Sequence, residues 1–79
     1  MITSAQIRAA RALLDWSREN LSKKSGVGIS ALMRLESAEN VPAGNIKTFS
    51  AVRQAFENAG IEFIGTPENG AGVRWKSKL

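Results

Sequence analysis

A chain of 79 residues buries only about 60 % of its unfolded surface, enough for one core and too little for a large catalytic cavity. Hydrophobic residues at 43 % and charged residues at 23 % suit a folded domain, while the lack of cysteine and histidine removes disulfides, thiol chemistry, the usual zinc ligands and the usual general base near neutral pH. Eleven Lys and Arg against seven Asp and Glu leave a net charge of +4, the sign that attracts a polyanion such as nucleic acid.

The opening stretch MITSAQIRAARALLDW has neither a long apolar core nor a small-residue cleavage pattern. That argues for a cytoplasmic chain with no membrane segment. Thr3 or Ser4 can cap a first helix running to about Asp15, with Ile7, Ala10, Arg11 and Leu14 on one stripe at i, i+3, i+4 and i+7. One member of that inward stripe is charged. Ser17 offers a second N-cap, with Glu19 in the first turn complementing the helix dipole and Leu21 facing inward. This second helix is short and stops at Gly26.

In the third helical segment, ISALMRLES, Leu32 and Leu35 face one way, while Ile29, Ser30, Met33, Arg34 and Ser37 face others. Pro42 and Gly44 make AENVPAGN a loop. Asn45 then caps a fourth helix with an inward stripe of Ile46, Phe49, Val52 and Phe56, closed by Asn58-Ala59-Gly60. The tail alternates with period two in IEFI and GVRWK around the turn-rich GTPENGAG, which predicts a β-hairpin. Ile61 and Phe63 are expected on one face, Val73 and Trp75 on another, with Glu62 near Arg74 or Lys76.

The Gly-Val-Gly at residues 26 to 28 admits two readings. A phosphate-binding loop needs a preceding buried strand, a further glycine or a Gly-Lys-Ser/Thr, and none of these is present. The alternative is a tight connection between two steeply crossed helices, in which Gly26 turns the chain, Val27 plugs the core and Gly28 starts the next helix. Leu21, Val27, Leu32 and Leu35 then form the small core of the unit, an arrangement that also occurs in structural bundles.

The stretch WSRENLSKKSGVGISALMRLESAE resembles the Cro/C1-type (XRE family) helix-turn-helix of bacterial and phage transcriptional regulators. The matching features are Ser-x-Glu-x-Leu at 17–21, Ser-Gly-Val at 25–27 and Leu-x-x-Leu-Glu at 32–36, and the likeness extends over residues 3 to 58. It implies a mainly α, lambda-repressor-like helix-turn-helix domain of four to five helices over residues 1–60, followed by a C-terminal β-hairpin extension over residues 61–79. The implied function is sequence-specific binding of double-stranded DNA by a homodimeric repressor, nucleoid-associated, without enzymatic activity, cofactor or metal.

Carried onto this chain, the resemblance makes Gly28–Ser37 the recognition helix and Ile29, Ser30, Met33 and Arg34 the base contacts. Arg34 can bond two acceptors on guanine, and Ile29 can touch a thymine methyl. Phosphate contacts fall to Ser17, Arg18, Lys23, Lys24, Asn40, Asn45 and Lys47. The family also pairs a first-helix arginine with the acid closing the third helix, here Arg11 and Glu36, which accounts for the charge in the inward stripe. Phe63, Val73 and Trp75 of the hairpin are the expected dimer contact.

Three departures stand out: Arg18 replaces a common glutamine, Gly28 and Ile29 replace polar residues, and Glu39 in the next loop repels phosphate. Discrimination would then rest on few base contacts plus DNA shape. Two other readings remain: an antitoxin that binds DNA and also a toxin, and a protein-interaction module with no DNA role.

Overall fold

In the computed structural model, which describes residues 2–38 and 46–76, the Thr3 side chain accepts from the Gln6 backbone N–H while the Gln6 side chain accepts from the Thr3 backbone. This capping box opens helix α1, Ser4–Leu14, and satisfies two donors that helix geometry leaves without partners. Asp15 ends α1 in the left-handed region at φ 57°. Ser17 then caps α2, Arg18–Ser25, by accepting from the Asn20 N–H.

Gly26 closes α2 at φ 74°, Val27 turns into the core, and Gly28 stands at the N-cap of α3, Ile29–Ser37. The expected turn is therefore present, with Leu21, Val27, Leu32 and Leu35 all buried. A left-handed φ is strained for any residue with a Cβ. Gly26→Ala is accordingly expected to lower stability by about 1–2 kcal/mol, read as a shifted urea midpoint with an unchanged slope.

The fourth helix, α4, spans Ile46–Asn58. Val52 and Phe56 are buried and Phe49 is half-buried, as its stripe predicts, and Ala55 is buried with them. Ile46 departs from the expectation. It is 81 % exposed, because the first turn of α4 overhangs the core and the apolar contacts begin at Phe49. The expected cap Asn45, and with it Glu39, Asn40 and the loop through Gly44, lie outside the described residues.

The chain finishes in an antiparallel pair, β1 Ile61–Thr66 and β2 Asn69–Trp75. Here the strands run further than GTPENGAG suggests, leaving only Pro67 and Glu68 between them. Two glycines make that extension feasible. The register slips around Thr66, which pairs with both Asn69 and Gly70, and Gly65 sits at φ 77° where a Cβ would strike the Gly70 backbone. An extra residue taken up in this way is a β-bulge, for which glycine is suited.

Ile61 stands opposite Trp75 and Phe63 opposite Val73. Directly paired residues point to the same side of a sheet, so these four share a single face instead of dividing between two. Glu62 and Arg74 also pair, at 2.7 Å. The hydrogen bond from Arg74 holds the Glu62 carboxyl below its ordinary range; the contribution of the pair is present at neutral pH and is lost as the pH falls through that lowered value.

Helix α1 packs on α3 and β2, α2 on α3 and α4, and α4 on β1. Ile7, Leu21, Leu32, Val52, Phe56 and Ile61 form the centre. Trp16 stacks on Phe56 at 5.8 Å between ring centroids, and Phe63 meets Phe56 edge-on at 5.9 Å. That aromatic row joins the α1–α2 link, α4 and the hairpin. Among the described residues no helix is long and apolar enough to cross a membrane.

Candidate nucleic-acid interface

The α2–turn–α3 unit leaves one face of α3 uncovered. Leu32, Leu35 and Glu36 point inward and are buried. The opposite face presents Ile29, 40 % exposed, Met33, 50 % exposed, and the exposed Ser30, Arg34 and Ser37. All four expected base-reading residues therefore lie on one accessible strip of a single helix, as the 3.6-residue period requires. Arg34 is the only charged group among them.

The orientation of that strip is fixed from behind. Arg11 donates through Nε to Glu36 Oε2 and through Nη2 to Glu36 Oε1, both at 2.8 Å. The Glu36 side chain is fully enclosed. Two parallel bonds between a guanidinium and a carboxylate fix angle as well as distance, so the expected Arg11–Glu36 pair locks α3 against α1. Arg11 Nη1 also donates to the Trp16 carbonyl at 3.0 Å, tying in the start of the α1–α2 link.

Helix α1 makes further contacts with the end of α3. The Ser4 hydroxyl donates to the Leu35 carbonyl and Arg8 Nη1 to the Glu36 carbonyl. These are among the carbonyls that a helix terminus leaves unpaired. Because α3 ends at Ala38 in an extended conformation, without a left-handed glycine, side chains from α1 do the work that a C-cap usually does. Sequence reasoning overlooked Arg8 and treated Ser4 only as a cap for its own helix.

Among the expected phosphate contacts, Ser17 is exposed and its oxygen caps α2. Lys23 and Lys24 lie exposed in the last turn of α2, and Lys47 is exposed in the first turn of α4. Asn40 and Asn45 fall outside the described residues. Arg18 Nε donates to Glu36 Oε1 at 3.2 Å, making Arg18 the second arginine on that carboxylate.

Comparison with protein-family models and with curated proteins finds no match.

Among the described residues no group of three or more acidic side chains could hold a metal ion, and every buried side-chain polar atom has a hydrogen-bond partner. Glu19, at the start of α2, has its carboxyl held below the ordinary range first by the backbone N–H and then by the Ser17 hydroxyl, with Arg11 and Arg18 contributing. In the hairpin, Phe63 and Val73 are half-buried against the core of their own chain. Trp75 is 52 % exposed, which makes it the most accessible of the three expected dimer residues.

Proposed function

We propose that this chain is a DNA-binding transcriptional regulator of the Cro/C1 helix-turn-helix kind, a lambda-repressor-like domain that lays α3 in the major groove and acts as a repressor. The observation that carries this reading is the exposed strip Ile29, Ser30, Met33 and Arg34 on a helix whose opposite side is locked by the Arg11–Glu36 pair. A groove-reading helix must present base-contacting side chains outward while being held rigidly from within. The net charge of +4 and the exposed Lys23, Lys24 and Lys47 supply the phosphate attraction that sequence-independent affinity needs.

One domain of this size reaches few base pairs, so tight binding calls for two copies on a two-fold site with half-sites about one helical turn apart. Trp75, exposed on a sheet that has two strands among the described residues, is the natural contact between copies. A protein partner such as a toxin is favoured by a separate observation. Ile46 is 81 % exposed beside a shallow apolar groove lined by Ile2, Phe49, Ser50 and Arg53.

Selection of bound sequences from a random duplex pool, followed by titration at several salt concentrations, tests the DNA reading. An enriched sequence and an affinity that falls linearly on a log–log plot against salt are expected. Lys47→Ala should weaken binding to all sequences alike and reduce the salt slope by about one. Absence of enrichment together with salt-insensitive binding would overturn the assignment.

A further inference from the structure

Resting on the DNA-binding reading, we propose that the buried Glu36 carboxylate positions Arg18 as a fixed phosphate clamp at the start of α2, with one nitrogen on the protein and two on the DNA backbone. Glu36 is fully enclosed, yet it serves two arginines at once: Arg11 takes both oxygens at 2.8 Å, and Arg18 Nε shares Oε1 at 3.2 Å. Arg18 is itself 39 % exposed. A guanidinium is a rigid plane with five N–H donors, so a bond at Nε sets the direction of the remaining fork. Among the described residues no hydrogen bond engages Nη1 or Nη2 of Arg18.

Charge around the carboxylate favours an incoming anion. Arg11 and Arg18 bond the Glu36 side chain, and Arg8 donates to the Glu36 carbonyl. Arg11 and Arg18 also bear on the Glu19 carboxyl at the start of α2. Two guanidinium groups thus converge on the single Glu36 carboxylate, and a phosphodiester can take up the positive charge in excess there. An unanchored arginine gives up rotamer freedom when it grips a phosphate; Arg18, tethered through Nε, has given up much of it on folding. Glu36 is on this account a positioning residue for Arg18, in addition to holding α1 against α3.

Arg18→Gln and Arg18→Lys in the full chain separate the possibilities, since Arg11 keeps both oxygens of Glu36 in each variant and circular dichroism verifies folding. Binding to a fluorescently labelled duplex of random sequence is followed by anisotropy across a salt series. Arg18→Gln is expected to reduce the salt slope by about one. Arg18→Lys keeps the slope and binds about five- to tenfold more weakly at each salt concentration, because an ammonium cannot hold Glu36 and offer a planar fork together.

If Arg18→Lys binds as tightly as the parent chain, Arg18 is a diffuse charge and the clamp is overturned. An unchanged slope in Arg18→Gln makes the bond to Glu36 purely structural, which also overturns it. Parent protein that binds the duplex while both variants behave identically to it refutes the clamp alone. Parent protein with no salt-dependent affinity for any duplex refutes the clamp and the DNA reading together.

Discussion

Glu36→Ala is expected to destabilise the protein by about 3–5 kcal/mol, the usual cost of removing one partner from a buried ion pair. Three hydrogen bonds to the Glu36 carboxylate disappear at once. Among the described residues, Arg11 would be left half-buried with the Trp16 carbonyl as its one remaining hydrogen-bond acceptor. A domain of this length has roughly 4–12 kcal/mol of total stability, so the loss should appear as a fall of more than about 10 °C in Tm.

Replacing both partners, as Arg11→Met with Glu36→Leu, should recover much of that stability, since neither charge is then stranded. Thermal unfolding of the two variants side by side provides the check. A fall of under about 1 kcal/mol for Glu36→Ala would mean that apolar packing alone holds α3 in place.

Arg34→Ala tests the other side of the same helix. Arg34 is exposed and the core does not use it, so Tm should move little, while binding to the selected duplex weakens by about 1–3 kcal/mol. The loss should be concentrated at one base pair, visible as relaxed preference there in a repeated selection. An equal loss on selected and random duplexes would reassign Arg34 to the phosphate backbone. Together, Glu36→Ala and Arg34→Ala separate the inner face of α3, where the effect on stability is expected, from the outer face, where the proposed DNA recognition would lie.

The α2–turn–α3 unit was readable in the sequence because its signals are local. A capping serine, a glycine that tolerates positive φ and leucines at helical spacing each act within a few residues. The Arg11–Glu36 pair was readable for a different reason, since a charge inside an apolar stripe needs a buried partner and the resemblance named one. Arg18 illustrates where this reach ends. Its long side chain can lie in solvent or fold back onto Glu36 with no change in periodicity, and only the tertiary arrangement decides.

The same holds for Ser4, Gln6 and Arg8. Each reads as polar helix surface or as a local cap, yet each reaches the backbone of another element: Ser4 and Arg8 meet the end of α3, and Gln6 meets the hairpin. Backbone carbonyls carry no residue identity, so no pattern of side chains announces them as partners. Ile46 fails in the opposite direction. Its place on the stripe is correct for a long helix over a continuous core, but periodicity does not say where the layer beneath α4 stops. In the tail, GTPENGAG reads as turn-rich throughout because glycine composition does not distinguish a bulge within a strand from the turn between strands.

Gln6 has a consequence for how the chain acquires its structure. Its amide oxygen accepts from the Thr3 backbone N–H, while its amide nitrogen donates to the Ile64 carbonyl at 3.1 Å and the Gly72 carbonyl at 2.9 Å. Those bonds join residues 58 and 66 positions apart, and contacts of such sequence separation are slow to form because a long loop must close before they are gained. During synthesis from the N-terminus, α1 can coil early, but it cannot complete its docking until β2 has been made. Until then the part of α1 that meets β2 awaits its cover while α3 can already pack on the rest, and removal of the hairpin would reproduce that incomplete state in the finished protein.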